Sequence, residues 1–372
     1  MRRICTLLVL SYTFLWGMEV SGQTANTPAM QPKLPFNPRQ YLCYKTPYEL
    51  TIDGKMDEDI WEKTPWTEDF EDIEGHLKPK PLYRTRTKML WDENYLYVAA
   101  ELEEPHIWAN ITERDAIMYF NNDFEIFIDP DGDTHLYYEF EYNAYATRWD
   151  LILVKPYRDG GPYMNAWDVR GMLVATHLDG TINHPNDVDK SWSIEVALPW
   201  ELLKEANPNR KIPKPGDQWR INFSRVQWQH EIIDGNYKKK VDPETGKRLP
   251  EYNWVWSPQG VINMHYPEMW GFLQFSGKEA GTESDTFQFN PDEDLKWALR
   301  QVYYRMREHK QKTGKYTNDP QALGIKYIKA NGIDELKVNI QHTERLFEAS
   351  ATHPKTQSTY CIRQDGLIWK LN

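Results

Sequence analysis

A chain of 372 residues has room for one large domain or two ordinary ones with proper cores, which excludes a small disulfide-stapled scaffold. Its 44 Lys and Arg stand against 55 Asp and Glu, a net charge of −11 that makes nucleic acid and anionic membrane poor partners. Aromatic residues reach 14% and include 16 Trp, a content that suits a β-rich core and leaves some rings over for binding.

Residues 1–22 carry Arg2 and Arg3, the apolar run LLVLSYTFLW and then Val20-Ser21-Gly22, the pattern of a secretory leader cut before Gln23. Export to the periplasm or beyond is the expectation. The run is too short to span a membrane, and no later stretch reaches the roughly 18 apolar residues a spanning helix needs. No Cys closes the leader's apolar core, as a lipid anchor would require. Cys43 and Cys361 remain after cleavage and could pair in an oxidising compartment.

Residues 23–47, rich in Pro and polar side chains at their start, read as a flexible lead-in. From 48 to 276 short strand patterns follow at close spacing, at 48–52, 83–92, 95–104, 123–129, 136–144, 147–154, 172–178, 191–199, 219–228 and 270–275. Turns of Asp, Gly, Asn and Pro separate them, and only MDEDIWEK (56–63) and PWELLKEA (199–206) have a helical period. This predicts a mainly β protein built as an antiparallel β-sandwich of the jelly-roll or immunoglobulin-like kind. The polar insertion at 230–253 reads as a surface hairpin or loop. Residues 277–290 read as a linker, and 291–372 as a C-terminal α+β appendage: one helix over 294–314 on a small antiparallel sheet, with a Gln-Asp-Gly hairpin turn near the end.

Strand alternation separates two faces. In DFEIFID, Phe124, Ile126 and Ile128 face the core while Asp123, Glu125, Phe127 and Asp129 face outward; on the next strand Phe140 and Tyr142 point in, and Glu139, Glu141 and Asn143 point out. If the two strands pair, one face collects several carboxylates. Such a group can accept sugar hydroxyls, act as an acid–base pair, or form a solvated surface. Hydrolysis would need two carboxyls opposed across the scissile bond, about 5–10 Å apart and with one pKa raised by burial, which alternation alone does not supply.

Asp129, Asp131 and Asp133 in DPDGDTH have the alternate-oxygen spacing of a calcium loop, with Gly132 permitting a tight turn. Phe140 stands where the helix-loop-helix pattern needs its twelfth-position Glu, so a plain Asp/Gly turn is the competing reading. Ca2+ is the candidate cofactor. Trp108, Trp149, Trp167, Trp228, Trp254 and Trp256 are candidates for stacking, foremost Trp167 in the Gly/Pro-containing connection DGGPYMNAWDV, while Trp91, Trp192 and Trp219 belong to strand cores.

The ordered segments LTIDGKMDEDIWEKTPW, WDENYLYVAAELEEP, NNDFEIFIDPDGD, SWSIEVALPWELL, WRINFSRVQ and a V-W-S followed by a closing W-G span about 48–275. Together they resemble the family 9 carbohydrate-binding modules of the DOMON-like group of β-sandwiches. The resemblance implies a secreted, non-catalytic module that holds a sugar ring between aromatic faces and clamps its hydroxyls with charged groups. It places the family's strand glutamate at Glu125 and a stacking aromatic at Tyr119. The family's arginine falls at Glu139 and its second stacking tryptophan at Met264, so the clamp is altered.

The combined expectation is a carbohydrate-binding protein of polysaccharide capture or breakdown, taking a mono-, oligo- or polysaccharide through Tyr119, Asn122, Glu125, Glu139, Asn143 and Trp167. Two rival readings stand beside it. One is a glycoside hydrolase or hydrolase accessory subunit acting on O-glycosyl bonds; the other is a structural sandwich whose tail packs on a protein partner.

Overall fold

The computed structural model describes residues 31–207 and 211–371, so the leader expected over 1–22 lies outside the described residues. Among those residues, thirteen strands join one long sheet. In chain order they are β1 (Gln40–Lys45), β2 (Glu71–Asp72), β3 (Thr85–Trp91), β4 (Tyr95–Glu103), β5 (Asp123–Asp129), β6 (Tyr137–Asn143), β7 (Arg148–Leu153), β8 (Tyr163–Met164), β9 (Leu173–Asp179), β10 (Ser191–Pro199) and β11 (Gln218–Gln227). A separate hairpin of β12 (His230–Ile233) and β13 (Asn236–Lys239) follows, then β14 (Tyr252–Val255) and β15 (Gly271–Glu279). The order across the sheet is β8-β7-β6-β5-β11-β15-β1-β3-β4-β10-β9, with β14 on β11 and β2 on β14.

The sheet closes over itself because its two halves share one apolar face. Phe124, Ile126 and Ile128 of β5 and Tyr138, Phe140 and Tyr142 of β6 pack in one cluster with Met89 and Trp91 of β3, Val98 and Leu102 of β4, and Ile194 and Val196 of β10. Phe124, Ile126, Ile128, Phe140 and Tyr142 are the residues that alternation assigned inward, and the result is the expected sandwich. Gly271 shows how tight the join is: a Cβ there would lie 2.3 Å from the Trp256 ring. Gly271→Ala is expected to force that ring aside and cost about 1–3 kcal/mol, read as a fall in the thermal unfolding midpoint.

Two segments differ from the sequence reading. Residues 40–45, expected within the lead-in, form β1, which pairs in parallel with both β15 and β3, so the sandwich is not wholly antiparallel. Only Tyr41 and Cys43 of QYLCYK are fully buried, an alternation too short to stand out behind a Pro-rich approach. Conversely, YELTI at 48–52 makes no strand. The turn after it is held from the side by Glu195 of β10, which accepts the N–H groups of Asp53 at 3.1 Å and Gly54 at 2.8 Å and the Trp61 Nε1–H at 2.8 Å. The two short helical patterns shrink to α1 (Asp59–Lys63) and α2 (Trp200–Leu203).

The tail comprises α3 (Asp292–Thr313) and a four-stranded sheet of β16 (Asn339–His342), β17 (Phe347–Thr352), β18 (Thr359–Arg363) and β19 (Ile368–Leu371). Leu295, Ala298, Leu299, Val302, Tyr303 and Met306 form the buried face of α3, as their spacing predicts. Their cluster also takes in Val261, Tyr266 and Met269 from the chain before β15, so the tail shares a core with the sandwich. Residues 277–290 are pinned along β15, with the Gln288 N–H donating to Gln274 Oε1 at 2.8 Å and Ser276 Oγ to Asp285 at 2.6 Å. Cys43 and Cys361 are both buried and free, and the pairing weighed for them does not form.

Candidate functional site

Cross-strand register turns the outer face of β11, β5, β6 and β7 into rows, because paired residues point the same way. Ser224, Glu125, Glu141 and Trp149 stand in one row; Asn222, Phe127, Glu139 and Leu151 in the next; Val226, Asp123 and Asn143 on the other side. The solvated-surface reading of these carboxylates is corrected by their burial: Asp123 is 0% exposed, Glu141 2%, Glu125 5% and Glu139 6%. Segments from outside the sheet line this face. Met118 packs with Phe127, Tyr137, Trp149, Leu151 and Trp270, while Tyr119 and Tyr237 pack on Trp108, Val226 and Trp228.

Burial sets the electrostatics. It pushes the Glu125 carboxyl up to about 7, against the Ser224 hydroxyl beside it, which favours the ionised form. Burial also carries Asp123, Glu139 and Glu141 well above the usual carboxylate range, and the charge of Glu125 next to each adds to the rise. Glu141 accepts one hydrogen bond from the Tyr119 N–H at 3.1 Å. The Tyr119 phenol is raised by burial and then by Glu141, Glu251, Glu125 and Glu139; that of Tyr157 is raised by burial and then by Glu139 and Glu141. Both phenols therefore lie within electrostatic reach of Glu139 and Glu141. Lys239 lies with Nζ 3.2 Å from the centre of the Trp228 ring and is pushed down to about 7, chiefly by burial.

Of the residues predicted for sugar contact, Tyr119, Glu125 and Glu139 come together here. Asn122 is adjacent, but it accepts the Trp228 N–H at 2.8 Å and donates to Glu104 at 3.2 Å, which braces the loop. Asn143 has its oxygen taken by the N–H groups of Tyr145 and Thr147 and its amide nitrogen by the Ile111 carbonyl, so it holds a turn. Trp167 lies on the opposite face of the sheet, packed on the inward residues Tyr138 and Phe140 at 5.1 and 6.2 Å, with Nε1 donating to Glu205. Met264, in the altered tryptophan position, packs against the Phe127 and Trp270 cluster.

Sequence reasoning left Asp123, Glu141 and Tyr157 out of the contact set. Alternation had already placed Asp123 and Glu141 on the correct face, whereas Tyr157 sits on a short turn after β7, which no pattern marks. Asp129, Asp131 and Asp133 do bring carboxylate oxygens within 4.8 Å of one another. Both oxygens of Asp129 already accept backbone N–H groups, Gly132 at 3.0 Å and Thr134 at 2.9 Å, and Asp133 accepts that of His135 at 2.7 Å. Those are the bonds of an Asp/Gly turn, with Gly132 at φ +64°. Burial, then the charges of neighbouring aspartates, pushes Asp131 up to about 9.

Residues 52–224, which contain this face, match the model of the carbohydrate family 9 binding domain-like family. That segment is similar to the family 9 binding domains. The family 9 match ends inside β11, so the tail lies beyond it. Among curated proteins the chain is similar to the exoglucanase XynX of Acetivibrio thermocellus, 23% identical over 286 residues, covering 76% of this chain and 21% of that protein. It is also similar to endo-1,4-beta-xylanase A of Thermoanaerobacterium saccharolyticum, 26% identical over 164 residues, covering 44% and 12% respectively. The chain thus spans about a fifth or less of the length of these relatives. Among solved structures, family 9 modules of Caldicellulosiruptor kristjanssonii in complex with glucose and with cellotriose align at 17% identity. Their TM-scores are 0.42 and 0.41, covering 68% and 66% of this chain and 100% and 99% of those. No helix among the described residues is long and apolar enough to cross a membrane.

Proposed function

We propose that the protein binds carbohydrate without transforming it, on the outer face of β5, β6, β7 and β11. The observation that supports this most is that Tyr119, whose N–H donates to Glu141 at 3.1 Å, and Tyr157, packed in the cluster of Phe127 and Leu151, both stand at one group of buried carboxylates inside the matched segment. Aromatic faces suit the C–H face of a sugar ring, and buried carboxyls left short of partners suit its hydroxyls. Retaining and inverting hydrolases place two carboxyls on either side of the scissile bond, about 5–5.5 Å or 6.5–9.5 Å apart. Here the oxygens of Asp123, Glu125 and Glu141 gather within 4.8 Å on one face, which favours holding over cleaving. Export and a part in polysaccharide capture belong to the same reading, resting on the leader pattern and on the naming of the relatives as an exoglucanase and a xylanase.

A glycan array followed by calorimetric titration of the whole chain tests it, with glucose, cellotriose and xylo-oligosaccharides among the probes. Tyr119→Ala is expected to weaken saccharide affinity about tenfold, the worth of one aromatic face, while Trp167→Ala leaves it unchanged. Binding that vanishes with Trp167→Ala and survives Tyr119→Ala would move the site to the other face of the sheet. Release of reducing sugar abolished by Glu125→Gln would favour the hydrolase reading instead.

A further inference from the structure

We propose that Asp123, Glu125 and Glu141 form a site for a hard divalent cation, calcium by its donor set. The inference stands on these carboxylates and does not require the sugar reading. Their oxygens lie within 4.8 Å of one another, the spread that oxygens around a single ion at about 2.4 Å would have. At the same place Asp123 Oδ2, wholly buried, lacks a hydrogen-bond partner among the described residues, the other oxygen of that carboxylate being taken by the Val226 N–H; Ser224 stands directly opposite Glu125 in the register, with its hydroxyl serving that carboxylate.

The contrast with the rest of the molecule is what makes the vacancy of charge informative. Glu104 has Arg225 at 3.1 Å, Asp150 has Arg114 at 3.0 Å, Glu268 has Arg158 at 2.8 Å and Glu293 has Arg220 at 2.7 Å. Asp123, Glu125 and Glu141 have no Lys or Arg in such contact among the described residues, although a buried carboxylate without a cation is costly. Lys239 is near enough to act on Asp123 electrostatically, yet it rests on Trp228 and makes no ion pair with it. At the Asp129 turn both oxygens of the central carboxylate accept backbone N–H groups, whereas Asp123 keeps one buried oxygen without a partner among the described residues. With oxygen donors alone the site suits a hard ion, and three side chains on neighbouring strands suit the looser geometry of calcium better than the strict octahedron of magnesium.

Calorimetric titration of Ca2+ into the chelator-treated full chain tests this, with the thermal midpoint followed in parallel. One saturable Ca2+ is expected, raising the midpoint with concentration. Glu141→Gln and, separately, Asp123→Asn are each expected to weaken it at least tenfold, while Asp131→Asn leaves it intact. Both variants remove charge without changing shape, and near-UV circular dichroism checks that the fold survives. Absence of saturable Ca2+ binding in the wild-type chain overturns the proposal. So does binding that survives both Glu141→Gln and Asp123→Asn but is lost in Asp131→Asn.

Discussion

Arg158→Ala is expected to lower the unfolding free energy by about 3–5 kcal/mol, the cost of leaving a buried ion without its partner. Arg158 is 4% exposed. Its Nη2 donates to both oxygens of Glu268 at 2.8 and 2.9 Å, Nη1 donates to the His265 carbonyl at 2.9 Å, and the guanidinium lies 4.0 Å from the centre of the Tyr266 ring. Helix α3 closes on the same pair: Tyr304 donates to Glu268, and Tyr303 and Arg307 reach the neighbouring Asp159 at 2.6 and 2.7 Å. Removing Arg158 therefore weakens the join between tail and sandwich as well as uncovering a charge. Urea unfolding measures the loss, and limited proteolysis should cut the tail first. A change below about 1 kcal/mol would mean that Arg300 and Tyr304 alone satisfy Glu268.

The same residue carries a pH signature. Burial pushes the Glu268 carboxyl up, but Arg158 and Arg300 outweigh it and hold the group below its usual range. A depressed carboxylate contributes stability above its unfolded pKa, and that contribution is lost as pH falls through the folded value. Wild-type protein should lose this part on acidification, and Arg158→Ala should have little of it left to lose.

Much of this fold could be read from period-2 patterns because each buried strand face is long: β5, β6 and β10 appear within a residue or so of where alternation put them. What failed was short or one-sided. β1 has two fully buried residues and takes its place from parallel pairing with distant strands, which no local pattern encodes. Many of the motif residues that carried the family resemblance prove to be structural. Glu195 and Trp61 hold the turn at Gly54, Asp92 caps the Asn94–Tyr95 turn, and Asn222 ties β11 to Ser257. A motif can thus announce the fold while saying little of the ligand. For the site, alternation found the face but not its burial, because the segments that line it come from loops with no period. Trp167 looked promising for its loop, yet its half-buried ring packs against the inward residues Tyr138 and Phe140 of the sandwich. Tyr157 had no signal in the sequence at all.

Glu125→Gln is expected to stabilise the cation-free protein at pH 8 by on the order of 3 kcal/mol and to change little at pH 4. The sign follows from the direction of the shift. Burial raises this carboxyl from the ordinary range to about 7 in the folded chain. Between the unfolded value near 4.3 and the folded value, the native state holds a proton that the unfolded state has lost, so stability falls as pH rises across that window. Above it the full cost of a buried charge remains; below it the acid is neutral in both states and resembles the amide. Asp123, Glu139 and Glu141 face the same space and share the penalty, and Glu251 adds to it. Lys239 gives little relief, since its own pKa of about 7 strips its charge as the carboxylates gain theirs. Comparing wild type with Glu125→Gln at each pH isolates the one carboxyl from the other titrating groups. The difference should shrink when Ca2+ is added, because a bound cation removes the repulsion that glutamine relieves. A Glu125→Gln chain that is less stable than wild type at pH 8 without cation would show that the ionised carboxylate is already paired, and the strained-cluster account would fall.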